Sequence, residues 1–273
     1  MRALSAALIV CGLIALLAVN ALDWHAQWIA EQQITQMREA YDDASDPIRL
    51  ACKAQAERFN ARIAGNGDAG PLWPYERQLL FKEEPMMSYI EIPQISVRLP
   101  IYHGVEENAL MAGVGHWPSS SLPIGGPSAH CVLLAHSGMS NARMFDDIRL
   151  LRDGDRFVVW SLGEPHAYEV FDMHVVLPQE VPACIAIEPG RDLVTLVTCT
   201  PYGVNSHRLL VCASRCDYEE PDGDGQPAAP RPNSRMLPLV AASVLVAIAA
   251  ATCAIARLRR RADRASERSS HDI

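Results

Sequence analysis

Apolar residues run without a charge from Ala3 to Leu22 and again from Leu237 to Ala256. Each stretch is roughly twenty residues, the length a helix needs to cross a hydrocarbon core. Between them the pattern changes period. Trp24, Trp28, Ile34, Met37 and Tyr41 return at roughly helical spacing among Glu, Gln and Arg, which predicts an amphipathic helix. Ser45-Asp46-Pro47 offers a cap and a first-turn proline for a second helix. Its apolar positions are Leu50, Cys52, Phe59 and Ile63, and Gly65 is placed to end it. A helical pair over 23–64 suits a stalk on the flank of a domain.

From Gly65 to Pro85 the pattern is that of a loop, yet Leu72, Trp73, Tyr75 and Phe81 are large and apolar. Such residues either pack on the domain's flank or cover a groove. The strand period begins near Ser88. Tyr89–Ile92, Val97–Ile101, Cys131–Ala135, Phe157–Trp160, Tyr168–Phe171 and Val175–Leu177 are short β-prone runs separated by Gly, Pro and Asn. Gly163-Glu164-Pro165 suits a hairpin turn. Glu106–Met111 and Met144–Leu151 read as short helices, and Gly113–Pro127 as a long loop rich in Gly, Pro and Ser. Many short strands with turns between them predict an all-β barrel or sandwich over about 88–216. Residues 217–236 are rich in Pro, Gly and acid, the composition of a flexible tether.

Charge orients this plan. The second apolar stretch is followed by Arg257-Leu258-Arg259-Arg260-Arg261, and the positive-inside rule places the 257–273 tail in the cytoplasm. The first stretch reads as an anchor or as a cleaved signal, since Val19-Asn20-Ala21 loosely fits the small-residue cleavage rule. Either way the middle of the chain is expected outside the cell membrane. The whole chain carries −8; seven arginines and three acids lie outside 23–235, leaving 17 basic and 29 acidic residues there, or −12. So acidic a domain is a poor partner for nucleic acid and suits a cationic one. No CxxC occurs, and the histidines do not fall at zinc-ligand spacings, so neither metal nor cofactor is expected. With Cys11 and Cys253 in the apolar stretches and Cys199 needed free, no spacing compels a disulfide among the rest.

The chemistry concentrates in DLVTLVTCTPYGVNSHRLLVCAS, from Asp192 to Ser214. A β-branched run stops at Cys199, a Pro-Gly-Asn turn follows, and a second run opens with Arg208. A thiol at a strand end beside a permanent cation is a setting for a reactive cysteine. The run Cys131–Ala135 delivers His136 to another strand end. Histidine can take the thiol's proton and return it, and arginine can hold an oxyanion. Cys199, His136 and Arg208 thus make a set for acyl transfer through a thioester. His207 alternates to the opposite face from Arg208. A papain-type order is disfavoured, because here the histidine precedes the cysteine.

Thr195-Leu196-Val197-Thr198-Cys199 resembles the TLxTC signature of sortases, the membrane-anchored cysteine transpeptidases of Gram-positive bacteria. TLVTCTPYGVNSHRLLV, YIEIPQISVRLPIYHG, PSSSLPIGG and the segment around Ala135-His136-Ser137-Gly138 are similar to the class C, pilin-polymerising branch, over roughly residues 89–211. The resemblance implies a closed β-barrel of about eight strands with short helices, preceded by the helical pair and flanked by two transmembrane helices. It implies Cys199 as nucleophile, His136 as general acid/base and Arg208 as oxyanion-holding cation. It further implies cleavage of a Leu-Pro-x-Thr-Gly-like sorting signal and transfer of the acyl group to a lysine of the next pilin. Transfer of surface proteins to a peptidoglycan amine, or an idle binding module, are the alternatives. Ser119, Ser120, Ser121 and Thr198 are candidates to line the substrate groove. Trp73 and Tyr75 are candidates for the lid that class C enzymes place before the barrel. The match departs at Ala135 and Ser137, and Leu72-Trp73-Pro74-Tyr75 lacks the lid's aspartate, Asp68 being too distant.

Overall fold

A computed structural model describes residues 2–65, 70–81, 85–139 and 142–220. Helix α1 runs from Arg2 to Asp42 and α2 from Asp46 to Ile63. Residues up to Trp24 belong to one compact unit, and the chain from His25 to another, which holds the fold discussed here. Among the described residues no helix is long and apolar enough to cross a membrane. Ala3–Leu22 is helical as the start of α1; 237–256 and the rest of the chain from 221 lie outside the described residues.

Eight strands close into one barrel: β1 Met86–Ile92, β2 Val97–His103, β3 Val114–His116, β4 Ala129–Leu134, β5 Arg156–Ser161, β6 Glu164–Val176, β7 Asp192–Thr200 and β8 His207–Arg215. Around the barrel the order is β1-β2-β3-β4-β7-β8-β6-β5. Consecutive hairpins account for β1–β2, β5–β6 and β7–β8, whereas β2–β3 and β4–β7 are parallel. Closure leaves no free sheet edge. The β5–β6 turn is formed by Leu162 and Gly163, both at positive φ, the backbone a two-residue hairpin demands. Glycine is required at 163 for a second reason: a Cβ there would lie 2.3 Å from the ring of Tyr41.

Alternation sorts each strand into two faces. The interior holds Ile90, Ile101, Val114, Leu133, Phe157, Val159, Val194, Leu196 and Val211, all buried. Outside, Val132, Val197, Leu210 and Cys212 form a smaller cluster covered by Val181, Cys184 and Ile185 of the β6–β7 connection. That connection carries a one-turn helix, α4 Val181–Cys184, which the sequence pattern did not announce.

Two local expectations are corrected. Gly113–Pro127 is not all loop, because Val114–His116 pairs in parallel with β2 and so forms β3. Three residues are too few to display a period. Met144–Leu151 is not a helix but turns with a short 3-10 segment, Ile148–Leu150. Met144 sits at positive φ, and the Phe145 amide donates to the His136 carbonyl instead of a helical partner. The short helix α3 forms at Glu107–Ala112. Phe81 packs edge-on to Tyr41, so this loop aromatic serves the flank.

Candidate active site

Register assembles the site. On the outer face Val132, Thr195 and Cys212 form one row across β4, β7 and β8, and Leu134, Val197 and Leu210 form the next. In the following row Cys199 stands directly opposite Arg208. His136 lies two residues past Leu134, the last residue of β4, in the segment that leaves the strand at this barrel end. Directly opposed side chains on an antiparallel pair have Cβ atoms about 4.5–5.5 Å apart. A cysteine and an arginine, 63 and 72 positions after the histidine, thus share one barrel end with it.

Hydrogen bonds hold this end where the regular ladder stops. The Ala135 amide donates to the Val197 carbonyl at 3.1 Å. Ser137 Oγ donates to the Cys199 carbonyl at 2.6 Å, and Thr198 Oγ1 to the Ala135 carbonyl at 2.8 Å. Together these three bonds lace the segment carrying His136 to the strand carrying Cys199. The Gly138 amide donates to Asp146 Oδ1 at 2.6 Å, closing the turn after the histidine. The Arg208 guanidinium donates to the carbonyls of Asn205 and His207 at 3.1 and 3.0 Å, which curls it over the β7–β8 connection. In that connection the Thr200–Pro201 peptide is cis. His207 opposes Thr200 and so faces away from Arg208.

His136 Nε2 is screened from water and makes no hydrogen bond, and Glu107 Oε1 of α3 lies 3.6 Å away. That separation is longer than a hydrogen bond. Glu107 left no sign in the sequence, since nothing in a six-residue helix marks that its carboxylate will meet a histidine 29 residues on.

Among the described residues Cys52, Cys131, Cys184, Cys199, Cys212 and Cys216 are all unpaired. Burial pushes the thiols of Cys52, Cys131, Cys212 and Cys216 up, Cys131 the furthest. A protonated, buried thiol is a poor nucleophile. Cys199 differs by standing half-buried at a strand end opposite a cation.

The groove candidates have another use. Ser120 Oγ accepts from the Val132 amide and donates to the Trp117 carbonyl, and Ser121 Oγ accepts from the His130 amide. Thr198 is bonded as described, which leaves Ser119 exposed and without such a tie. These hydroxyls replace strand pairing where the chain after β3 runs beside β4. The lid candidates lie against α2, β2 and β3. Trp73 receives a bond at its carbonyl from Gln78 Nε2 and donates its amide to Gln55 Oε1. Tyr75 Oη sits 2.9 Å from His116 Nδ1, donates to the His116 carbonyl and accepts from the Gly104 amide. Both rings pack on the interior core, not on the outer cluster that adjoins Cys199.

A closed eight-stranded barrel with a cysteine and an arginine paired at its rim, and a histidine just past the end of the next parallel strand, defines a class of cysteine transpeptidases. The family model described as "Sortase domain" matches residues 90–216. Sortase C-1 from Actinomyces oris is 45% identical, with 62% of this chain and 99% of that one covered at a TM-score of 0.56. Sortase C from Clostridium perfringens, solved with a C-terminal cell wall sorting motif, is 36% identical over 69% of this chain and 100% of that one, TM-score 0.62. Among curated proteins, Sortase A of Bacillus anthracis is 26% identical over 47% of this chain and 59% of its own length. The chain spans about half the length of the curated relatives it matches. It belongs to the sortase family, and its structural neighbours include sortase C enzymes from Actinomyces, Clostridium and Streptococcus.

Proposed function

We propose that this chain is a membrane-held class C transpeptidase that joins pilin subunits. The observation that carries the proposal is the meeting, at one barrel end, of the opposed pair Cys199 and Arg208 with the His136 segment, which three hydrogen bonds lace to β7. Cys199 as thiolate attacks the threonine carbonyl of a Leu-Pro-x-Thr-Gly-like signal. Arg208 holds the oxygen that becomes negative, with donors fixed in advance. His136 gives a proton to the departing glycine amine, leaving a thioester on Cys199. A lysine amine of the next pilin then attacks that thioester and loses its proton to His136, and the thiolate departs with the C–S bond. Glu107 lies 3.6 Å from the imidazole nitrogen, facing the form of His136 that carries the proton before the first step and again after the second. The Clostridium perfringens sortase C solved with the C-terminal cell wall sorting motif supports the substrate class, and the uncharged stretches 3–22 and 237–256 support a membrane location.

Mass spectrometry of the full chain in detergent, mixed with a sorting-signal peptide, tests this. The expected product is one acyl adduct on Cys199, absent in Cys199→Ala and retained in Cys131→Ala. Adding a lysine-bearing pilin fragment should release it as an isopeptide. No adduct on the wild type sinks the enzyme assignment. Release only by a peptidoglycan-precursor amine replaces pilus assembly with wall anchoring.

A further inference from the structure

Two rows back from Cys199 on the same outer face, about 13 Å at roughly 3.3 Å per residue, stands a second polar group. Cys212 of β8 is flanked by Asp172 of β6 and Thr195 of β7. His174 follows Asp172 by two positions, so both share the face of Cys212. One ligand atom from each of Asp172, His174 and Cys212 lies within 4.8 Å of the other two. The three border a cavity of about 130 Å³ whose wall includes Cys184 and Glu188 of the β6–β7 connection.

The side chains are set for an ion. His174 Nδ1 is 2.9 Å from Asp172 Oδ2, so the imidazole and the carboxylate already face one another within reach of a shared ion. Asp172 retains a second oxygen. Thr195 Oγ1 lies 3.7 Å from Cys212 Sγ and 2.8 Å from His130 Nε2, which fixes the sulfur's neighbour. Sulfur, imidazole and carboxylate donors suit a borderline-soft tetrahedral cation, whereas calcium and magnesium prefer all-oxygen shells. We propose that Asp172, His174 and Cys212 bind a zinc-class divalent transition metal, its fourth position opening on the cavity. Binding exchanges the Cys212 S–H proton for an S–metal bond and releases that proton to solvent. Spacing could not suggest this site, because Cys212 joins the other two only through β6–β8 pairing.

Cobalt(II) titration of the full chain carrying Cys199→Ala, which removes the competing catalytic thiol, reads the site. One equivalent should bring thiolate-to-cobalt charge-transfer absorption and tetrahedral d–d bands, and zinc should displace the cobalt and raise Tm. Cys212→Ser should abolish the charge-transfer band, and His174→Ala should weaken binding at least tenfold, with circular dichroism confirming the fold of each. Absence of the band in the parent, or its survival in Cys212→Ser, overturns the site. Should Cys212→Ser not fold, the half-exposed His174 decides: unchanged affinity in His174→Ala overturns it equally.

Discussion

The two faces of this barrel carry the same residue types to opposite ends. Cys131 points into the interior, where burial drives its thiol far up and leaves it inert. Cys199, on the strand paired beside it, points outward at the rim opposite Arg208. The histidines divide likewise. His116 is fully buried, held by Ser121 and Tyr75, and pushed down to about 4, so it stays neutral and structural. His136 stands at a strand end beside a carboxylate. What decides the role is the parity of the position and its distance from the strand end, because these set desolvation and cross-strand partner.

This contrast can be broken by measurement. The largest effect is expected on the outer face. Arg208→Ala should lower kcat/KM for thioacylation by about 10²–10³, the usual loss for one oxyanion donor, with little change in Tm. Arg208→Lys should recover part of it, since the charge returns without the planar fork. Equal rates in all three would remove Arg208 from the site.

The interior should answer to acid. An unfolded histidine titrates near 6.5 and His116 in the fold near 4, so as pH falls the unfolded chain takes the proton first. Stability from this group is complete above about 6.5 and is lost progressively towards about 4. His166, also pushed down to about 4 by burial, adds the same sign. Tm should therefore fall between pH 7 and 4.5, and His116→Gln should flatten the slope. An unchanged slope in that variant would show that His116 is not the proton acceptor.

The smallest effect concerns the loop before the barrel. Trp73 packs on the interior core and is tied to Gln55 and Gln78. Trp73→Ala should lower Tm while changing the alkylation rate of Cys199 by less than about twofold, as expected when access is set elsewhere. A severalfold faster alkylation would restore this residue as a lid over the thiol.

Much of the site could be read along the chain because its pieces are local signals. A β-branched run ending in Cys199, a turn, and Arg208 opening the next run specify a hairpin with opposed side chains, and a hairpin needs only neighbours in sequence. His136 was legible as a strand end. The uses of Ser120, Ser121 and Thr198 were not, since a hydroxyl's partner depends on which backbone amide tertiary pairing leaves unmatched.

The sequence by itself determined the alternation of each strand, the hairpin that opposes Cys199 to Arg208, the two uncharged stretches and the family likeness. Only the tertiary structure decided the parallel pairings β2–β3 and β4–β7, which bring His136 to the barrel end of Cys199 and Arg208 with Glu107 at its side, and the antiparallel β6–β8 pairing, which brings Asp172 and His174 to Cys212 two rows away. The physical reason is range. Side-chain alternation and turn chemistry act over a few residues, whereas register between distant strands is chosen by the whole set of faces that must be buried at once.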